Sequence, residues 1–367
     1  KIVILLFFTT SILNVFGQEK ILKLTPEQVE ALFLNQNLEL LAEKMNINLA
    51  DAEIAQAKLW DNPTLSLGGV NLWSTSKQRE GESEVIPPLF GSFARNTQFS
   101  VELSQLIQTA NKRGKLVARE HIAKDIAIRE FEIILKGLKY ELRKTTSEIL
   151  YLQSYLNVLN TQEESLNQLI ESFRKQVSQG NIAKSELLRL QSSVLDVSNE
   201  RNEAFVSLNE QLKLLKTLLS IDPLVRIEIE DVPTETVSPT DISITQILHQ
   251  AETNRSDIIK SKLQVQYFDK ALAYEKSQRV PDVTLSASYD RFGGVWKDFI
   301  GFGISFDLPV LNRNQAAIRA ARINRDQSIY KEKQQINQIE HEVVESYSNY
   351  EQAYNFYQKI TSNEFSK

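Results

Sequence analysis

Along this chain the apolar positions switch between a helical and an extended rhythm, and the whole series of switches occurs twice. From Thr25 to about Trp60 apolar side chains recur at helical intervals. Thr25-Pro26-Glu27-Gln28 has the form of a helix start: a capping hydroxyl, a proline at the first helical position and an amide three residues after the cap. Pro63 ends the pattern, because it lacks a donor and biases Asn62 away from helix. Leu65 and Leu67 then begin a period of two that blurs at Gly68-Gly69. Phe99, Val101 and Leu103 alternate with Ser100, Glu102 and Ser104, the mark of a strand with one apolar and one polar face. From about Lys115 to Ser178 steps of three and four return, through Ile128, Leu142, Ile149, Leu156 and Ile170 to Val177, predicting a coiled-coil helix roughly 100 Å long. Gln179-Gly180-Asn181 stops it, and a second heptad seam from Leu187 to Leu218 predicts a return helix over about 183–219.

A connector with three prolines follows over 220–241, its alternation at Val225, Ile227 and Ile229 allowing one short strand. Then the opening pattern returns. Residues 24–67 match 242–285 without a gap at a constant offset (242 − 24 = 218), which puts Gln28 on Gln246, Lys44 on Lys262, Asp51 on Asp269 and Pro63 on Pro281. A helix from about Thr245 to Gln278 is predicted, broken by Pro281. Two strands come next: Val283, Leu285, Ala287 and Tyr289 oppose Thr284, Ser286, Ser288 and Asp290, and Phe302, Ile304, Phe306 and Leu308 oppose Gly301, Gly303, Ser305 and Asp307. A second long helix starts near Gln315. One supersecondary unit is thus used twice. Strand-to-helix junctions at Asn111 and Asn312 place a second hairpin tip near residue 381, past Lys367, so the second repeat is read as incomplete. The domains read as a signal peptide over 1–17, a first repeat over 18–219, a connector over 220–241 and a second repeat over 242–367.

Composition narrows the chemistry. A net charge of −5 gives no reason to expect nucleic acid. Cysteine is absent, which removes disulfides, thiolate metal sites and a cysteine nucleophile. His121, His249 and His341 are far apart, and His341-Glu342-Val343-Val344-Glu345 has a carboxylate where a zinc-protease motif needs its second imidazole. No catalytic residue, metal or cofactor is expected. The basic, apolar start through Phe16-Gly17 reads as an export signal, and no later run is long and apolar enough for a spanning helix. The strands, however, have the nine or ten residues that a tilted strand needs to cross a bilayer. Aromatic residues cluster near their ends (Trp73, Phe99, Tyr289, Phe292, Trp296, Phe299), with Phe302 in the same group. The polar set Ser100, Glu102, Ser104, Thr284, Ser286, Ser288, Asp290, Ser305 and Asp307 would then line an aqueous lumen. Four strands cannot close a barrel, and an open edge in lipid costs several kcal/mol per unpaired backbone group, so the chain must oligomerise in a ring.

The duplicated order helix–strand–strand–long hairpin resembles the TolC-type outer membrane factor family. Asn37-Leu38-Glu39-Leu40-Leu41-Ala42 looks like the family's first-helix motif with Leu38 in place of the usual proline, and Arg255-Ser256-Asp257-Ile258 like its counterpart in the second copy. Gly180-Asn181-Ile182-Ala183-Lys184-Ser185-Glu186-Leu187-Leu188 resembles the hairpin-tip motif. Leu308-Pro309-Val310-Leu311-Asn312-Arg313-Asn314-Gln315 resembles the strand-to-helix signature of heavy-metal efflux members. The resemblance implies a mostly α, mixed fold: a homotrimeric 12-stranded barrel in the outer membrane of a Gram-negative cell, continued by a periplasmic coiled-coil barrel. It implies passive efflux of toxic compounds or metal ions, with an inner-membrane RND-type pump and a periplasmic adaptor as partners and outer-membrane lipid around the strands. Gly180, Asn181, Ser185, Leu187 and Leu188 are then the candidate adaptor contacts. A type I secretion duct and an exported coiled-coil scaffold remain as alternatives.

Overall fold

The computed structural model describes residues 21–71, 98–232, 238–239, 243–293 and 296–361. The signal-peptide reading, Trp73 and the polar stretch before Gln98 lie outside them. The chain forms β1 (Ile21–Leu24), α1 (Pro26–Gln36), α2 (Leu38–Lys58), β2 (Thr64–Asn71), β3 (Gln98–Ile107), α3 (Lys112–Ser178), α4 (Lys184–Leu219), β4 (Arg226–Ile229), α5 (Ile244–Asn254), α6 (Ser256–Ser277), β5 (Val283–Gly293), β6 (Trp296–Phe306) and α7 (Gln315–Thr361). No helix among the described residues is long and apolar enough to cross a membrane. These elements group into two compact units, one of residues 1–44 and 133–237, the other of 45–132 and 238–367.

In the first unit the heptad seam closes as its spacing demands. Leu142 and Ile149 are 1% and 0% exposed, and Leu152 and Leu159 of α3 pack with Val197 and Ala204 of α4. Tyr155 of α3 donates its hydroxyl to Glu200 of α4, and that bond pushes the phenol up to about 12. Thr25 caps α1 as its sequence predicts, accepting from Gln28 N while Gln28 Oε1 accepts from Thr25 N. The helix buries Val29 and Phe33. Glu30, half-buried, reaches Lys139 at 2.5 Å and Arg143 at 3.0 Å; their hydrogen bonds hold its carboxyl below the usual carboxylate range. β1, which the sequence pattern did not disclose, pairs in parallel with β4, the short strand expected in the connector.

Two long helices predicted from the sequence are each interrupted. The first breaks at Asn37 and the second at Arg255, both in extended backbone, and 37 + 218 = 255, so the break occupies one position of the repeat. Neither needs proline. Asn37 is buried; its Oδ1 accepts from Leu40 N at 2.8 Å and its Nδ2 donates to the Leu218 carbonyl at 2.8 Å. A short amide side chain that satisfies backbone groups competes with the helix at that point. At the second break Asp257 Oδ1 accepts from Ile258 N, and the Arg255 guanidinium bridges Asp257 and Glu342.

The second unit carries a four-stranded antiparallel sheet in the order β2-β3-β5-β6. β2 is irregular between Gly68 and Asn71, with Gly69 at φ +58, which is where its alternation blurs in sequence. The register fixes a second offset. Ser66 faces Glu102 and its repeat mate Thr284 faces Ser305; 305 − 102 = 203, the same as the spacing between the starts of α3 and α7 (315 − 112). Strand and helix therefore repeat as one block.

Candidate conduit and docking tip

Antiparallel register decides which side chains share a face, because neighbours across the ladder lie on the same side. Ser104 faces Thr64 and Ser286; Glu102 faces Ser66 and Ser288; Ser100 faces Gly68 and Asp290. Thr284 faces Ser305, while Ser286 and Ser288 face Gly303 and Gly301. Eight of the nine residues singled out for the polar face thus lie on one side of one sheet. Asp307 does not belong to it, since β6 ends at Phe306, and it stands exposed in the segment leading to α7. Thr64 and Ser66 join that side. Their period of two was legible, but the Gly68-Gly69 irregularity hid how far it ran.

The polar face is built from small groups. A Cβ on Gly303 would lie 2.6 Å from Ser286 Oγ, and one on Gly301 would lie 3.1 Å from Ser288 Oγ, so the serines occupy the space that larger residues at 301 and 303 would need. Glu102 and Asp290 are its two carboxylates, on adjacent strands and diagonal to one another. Phe299, opposite Asp290, and Leu106, opposite Thr284, are large residues on this side.

On the other side lie Leu65, Leu67, Val101, Leu103, Val283, Leu285, Ile300, Phe302, Ile304 and Phe306. In a water-soluble sheet such a face would be packed on a core. Here Leu67 is 69% exposed, Phe302 88% and Ile304 71%. A contiguous exposed apolar surface of this kind marks contact with membrane or protein. β3, β5 and β6 have 10, 11 and 11 residues, the length that crosses a bilayer at a tilt. Phe99, Tyr289 and Trp296 gather at the end where β5 gives way to β6; Phe99 and Tyr289 rings are 6.0 Å apart, and the Tyr289 hydroxyl donates to Asp298. Phe302, grouped with them in sequence, is mid-strand.

The hairpin tip is a Schellman turn. Asn181 N donates to the Gln176 carbonyl and Gly180 N to that of Val177, both at 3.0 Å, with Gly180 at φ +76 where a side chain would be strained. Gly180, Asn181 and Ser185 are exposed. Leu187 and Leu188, adjacent in sequence, part company: Leu187 is half-buried on the seam and Leu188 is 56% exposed. The three histidines are exposed on α3, α5 and α7 and are not brought together.

The model of one protein family, described as outer membrane efflux protein, matches residues 31–220 and 247–358. No curated protein matches the chain. Among solved structures, the outer-membrane channel OprN superposes with a TM-score of 0.68 at 13% identity, covering 88% of this chain and 73% of that one. VceC of Vibrio cholerae gives 0.67 at 15% identity, covering 87% and 77%. The CmeC outer membrane channel of Campylobacter jejuni gives 0.67 at 16%, covering 85% and 68%. Likeness at such identity establishes the fold, TolC-like and mostly helical with a sheet portion, while the family match spans most of the sequence in both repeats. The chain therefore belongs to the outer membrane efflux protein family.

Proposed function

We propose that this protein is the outer-membrane conduit of a tripartite efflux system. Copies of the chain, three in number, set their sheets edge to edge, so that three copies of a four-stranded sheet make a twelve-stranded barrel with room for a pore. Leu67, Phe302 and Ile304 face lipid of the outer membrane, and the serine, glycine and carboxylate face lines the bore. The helical hairpins extend into the periplasm. There the tip at Gly180, Asn181, Ser185 and Leu188 meets a periplasmic adaptor, which couples the tube to an inner-membrane pump of the RND type. Conduction is passive, and the cargo is a small toxic compound or a metal ion.

The observation that carries this reading is the sheet. It exposes its apolar side and keeps small polar groups on the other, the reverse of a soluble domain and the arrangement that a lipid-embedded, water-filled barrel requires. The test is extraction followed by a mass measurement. The full-length protein should resist a salt wash, need detergent, emerge at three times the chain mass and conduct ions across a planar bilayer. Release by salt as a single chain would end the proposal.

A further inference from the structure

Just before β2 the chain passes through Leu59, Trp60 and Asp61, and both Leu59 and Trp60 are 60% exposed. The Arg113 guanidinium, in the first turn of α3, lies 3.7 Å from the centre of the Trp60 ring. Gln105 Nε2 donates to the Asp61 carbonyl at 2.8 Å, and Gln108 Nε2 donates to Asp61 Oδ2 at 3.0 Å. Trp60, Asp61 and Arg113, with Glu53, Arg119 and Glu120, line a groove of about 280 Å³ between the end of α2 and the start of α3.

Register says which side of the sheet the groove adjoins. Gln105 faces Leu285 across the ladder, so it stands on the apolar side. Its bond to Asp61 ties the 59–61 segment to that side. The groove lies at the end of the sheet away from Phe99, Tyr289 and Trp296. On β3, Phe99 and Ile107 are eight residues apart (107 − 99), about 27 Å of strand. An outer-membrane barrel carries aromatic girdles at both edges of its apolar band. Phe99, Tyr289 and Trp296 stand at one edge, and Trp60 stands at the other. Leu59, Leu65 and Leu67, all exposed, lead from the groove along the apolar side.

The charges of the groove divide into paired and open ones. Arg119 and Glu120 satisfy each other, and the neighbouring cation Lys112 pairs with Asp282. Arg113 has the Trp60 ring and, among the described residues, no carboxylate partner. A guanidinium over an aromatic face keeps in-plane N–H donors for an anion. Asp61 accepts from a neutral amide, and Glu53 has no cation among the described residues. One open cation thus shares the groove with two open carboxylates, and its complement is a phosphate joined to a primary ammonium. We propose that the groove holds the headgroup of a phospholipid of that kind, phosphatidylethanolamine. Its phosphate sits on Arg113, its ammonium on Asp61 and Glu53, and its acyl chains along Leu59, Leu65 and Leu67. The proposal rests on the conduit reading, which puts this end of the sheet at the periplasmic edge of the membrane, and adds one lipid to it. A trimethylated ammonium has no N–H to give the carboxylates, and a glycerol headgroup has no positive charge. Phosphatidylcholine and phosphatidylglycerol therefore fit the groove less well.

The test weighs the full-length protein with its lipids. It is purified in detergent, stripped of lipid, offered equal amounts of the three phospholipids and measured by native mass spectrometry. Wild type should keep phosphatidylethanolamine, one per chain, in preference to the other two. Arg113→Gln should keep the trimer mass and cut that retention about tenfold, since a charge-assisted hydrogen bond is lost. Glu53→Gln with Asp61→Asn should leave phosphatidylethanolamine and phosphatidylcholine equally retained. An excess of inorganic phosphate should leave the bound lipid in place. Equal retention of the three lipids by wild type would overturn the proposal without any variant. Displacement by phosphate would also overturn it, because the groove would then be a site for a free anion. Full retention by Arg113→Gln would do the same and reduce the Arg113–Trp60 pair to a brace. Trimer mass with no lipid preference would remove this site and leave the conduit reading standing, whereas release by salt as a single chain would end both.

Discussion

In the helical hairpin Leu142 and Ile149 are 1% and 0% exposed; in the sheet Phe302 and Ile304, no less apolar, are 88% and 71% exposed. Both regions alternate apolar and polar positions, one with steps of three and four, the other with steps of two. The difference lies in what each can do alone. A hairpin brings its own partner, so Leu152 and Leu159 of α3 close on Val197 and Ala204 of α4. A four-stranded sheet in the order β2-β3-β5-β6 has two faces and two open edges, and no described element covers its apolar side. Periodicity says which side chains belong together. It does not say whether their common neighbour is protein or lipid; the sheet's exposure shows only that the neighbour is not another described part of the same chain.

This contrast predicts where substitutions hurt. The largest effect belongs to Ile149→Ala, which leaves a cavity in a closed seam and should cost about 2–5 kcal/mol, seen as a lower thermal midpoint of the helical signal. Next is Phe302→Lys. In water an 88% exposed position would accept a lysine at little cost, but at mid-barrel in lipid it should cost roughly 2–4 kcal/mol and lower the fraction that assembles in detergent micelles. A Phe302→Lys variant that assembles like wild type would remove the distinction between the two regions. Asn37→Ala follows. It removes the group that accepts from Leu40 N and donates to the Leu218 carbonyl, and should lower stability by about 1–3 kcal/mol in the same thermal assay.

The smallest effect is pH-dependent. Lys139 and Arg143 hold the Glu30 carboxyl below its ordinary value of 4.5, so the stabilisation is fully present above that value and fades as pH falls through the depressed one. A partly exposed pair of this kind is worth about 0.5–1 kcal/mol. The stability gap between wild type and Glu30→Gln should therefore be constant above pH 4.5 and close below it, measured by denaturant titration at a series of pH values. A gap that widens on acidification would show the sign to be wrong.

These comparisons also separate what the sequence discloses from what it hides. The heptad seams, Gly180 and the polar side chains of β3 and β5 were legible because each is a local, periodic signal. Asp307 falls one residue past β6, where alternation in sequence continues and pairing does not. β1 was hidden, since four residues cannot establish a period and its partner β4 lies 205 positions away (226 − 21). The breaks at Asn37 and Arg255 were hidden for another reason: apolar spacing runs on through them, and the interruption comes from side-chain hydrogen bonds at Asn37 and charge pairing at Arg255. The split between Leu187 and Leu188 needed the hairpin's rotation, which only the packed seam supplies.

The paired bends have one more implication. An asparagine makes one and an arginine occupies the other, at the same place in two copies of a duplicated block. Shape here is inherited by address while the chemistry that enforces it drifts. A lineage built that way can exchange most of its letters and keep its outline, which is what an identity of 13% beside a TM-score of 0.68 records.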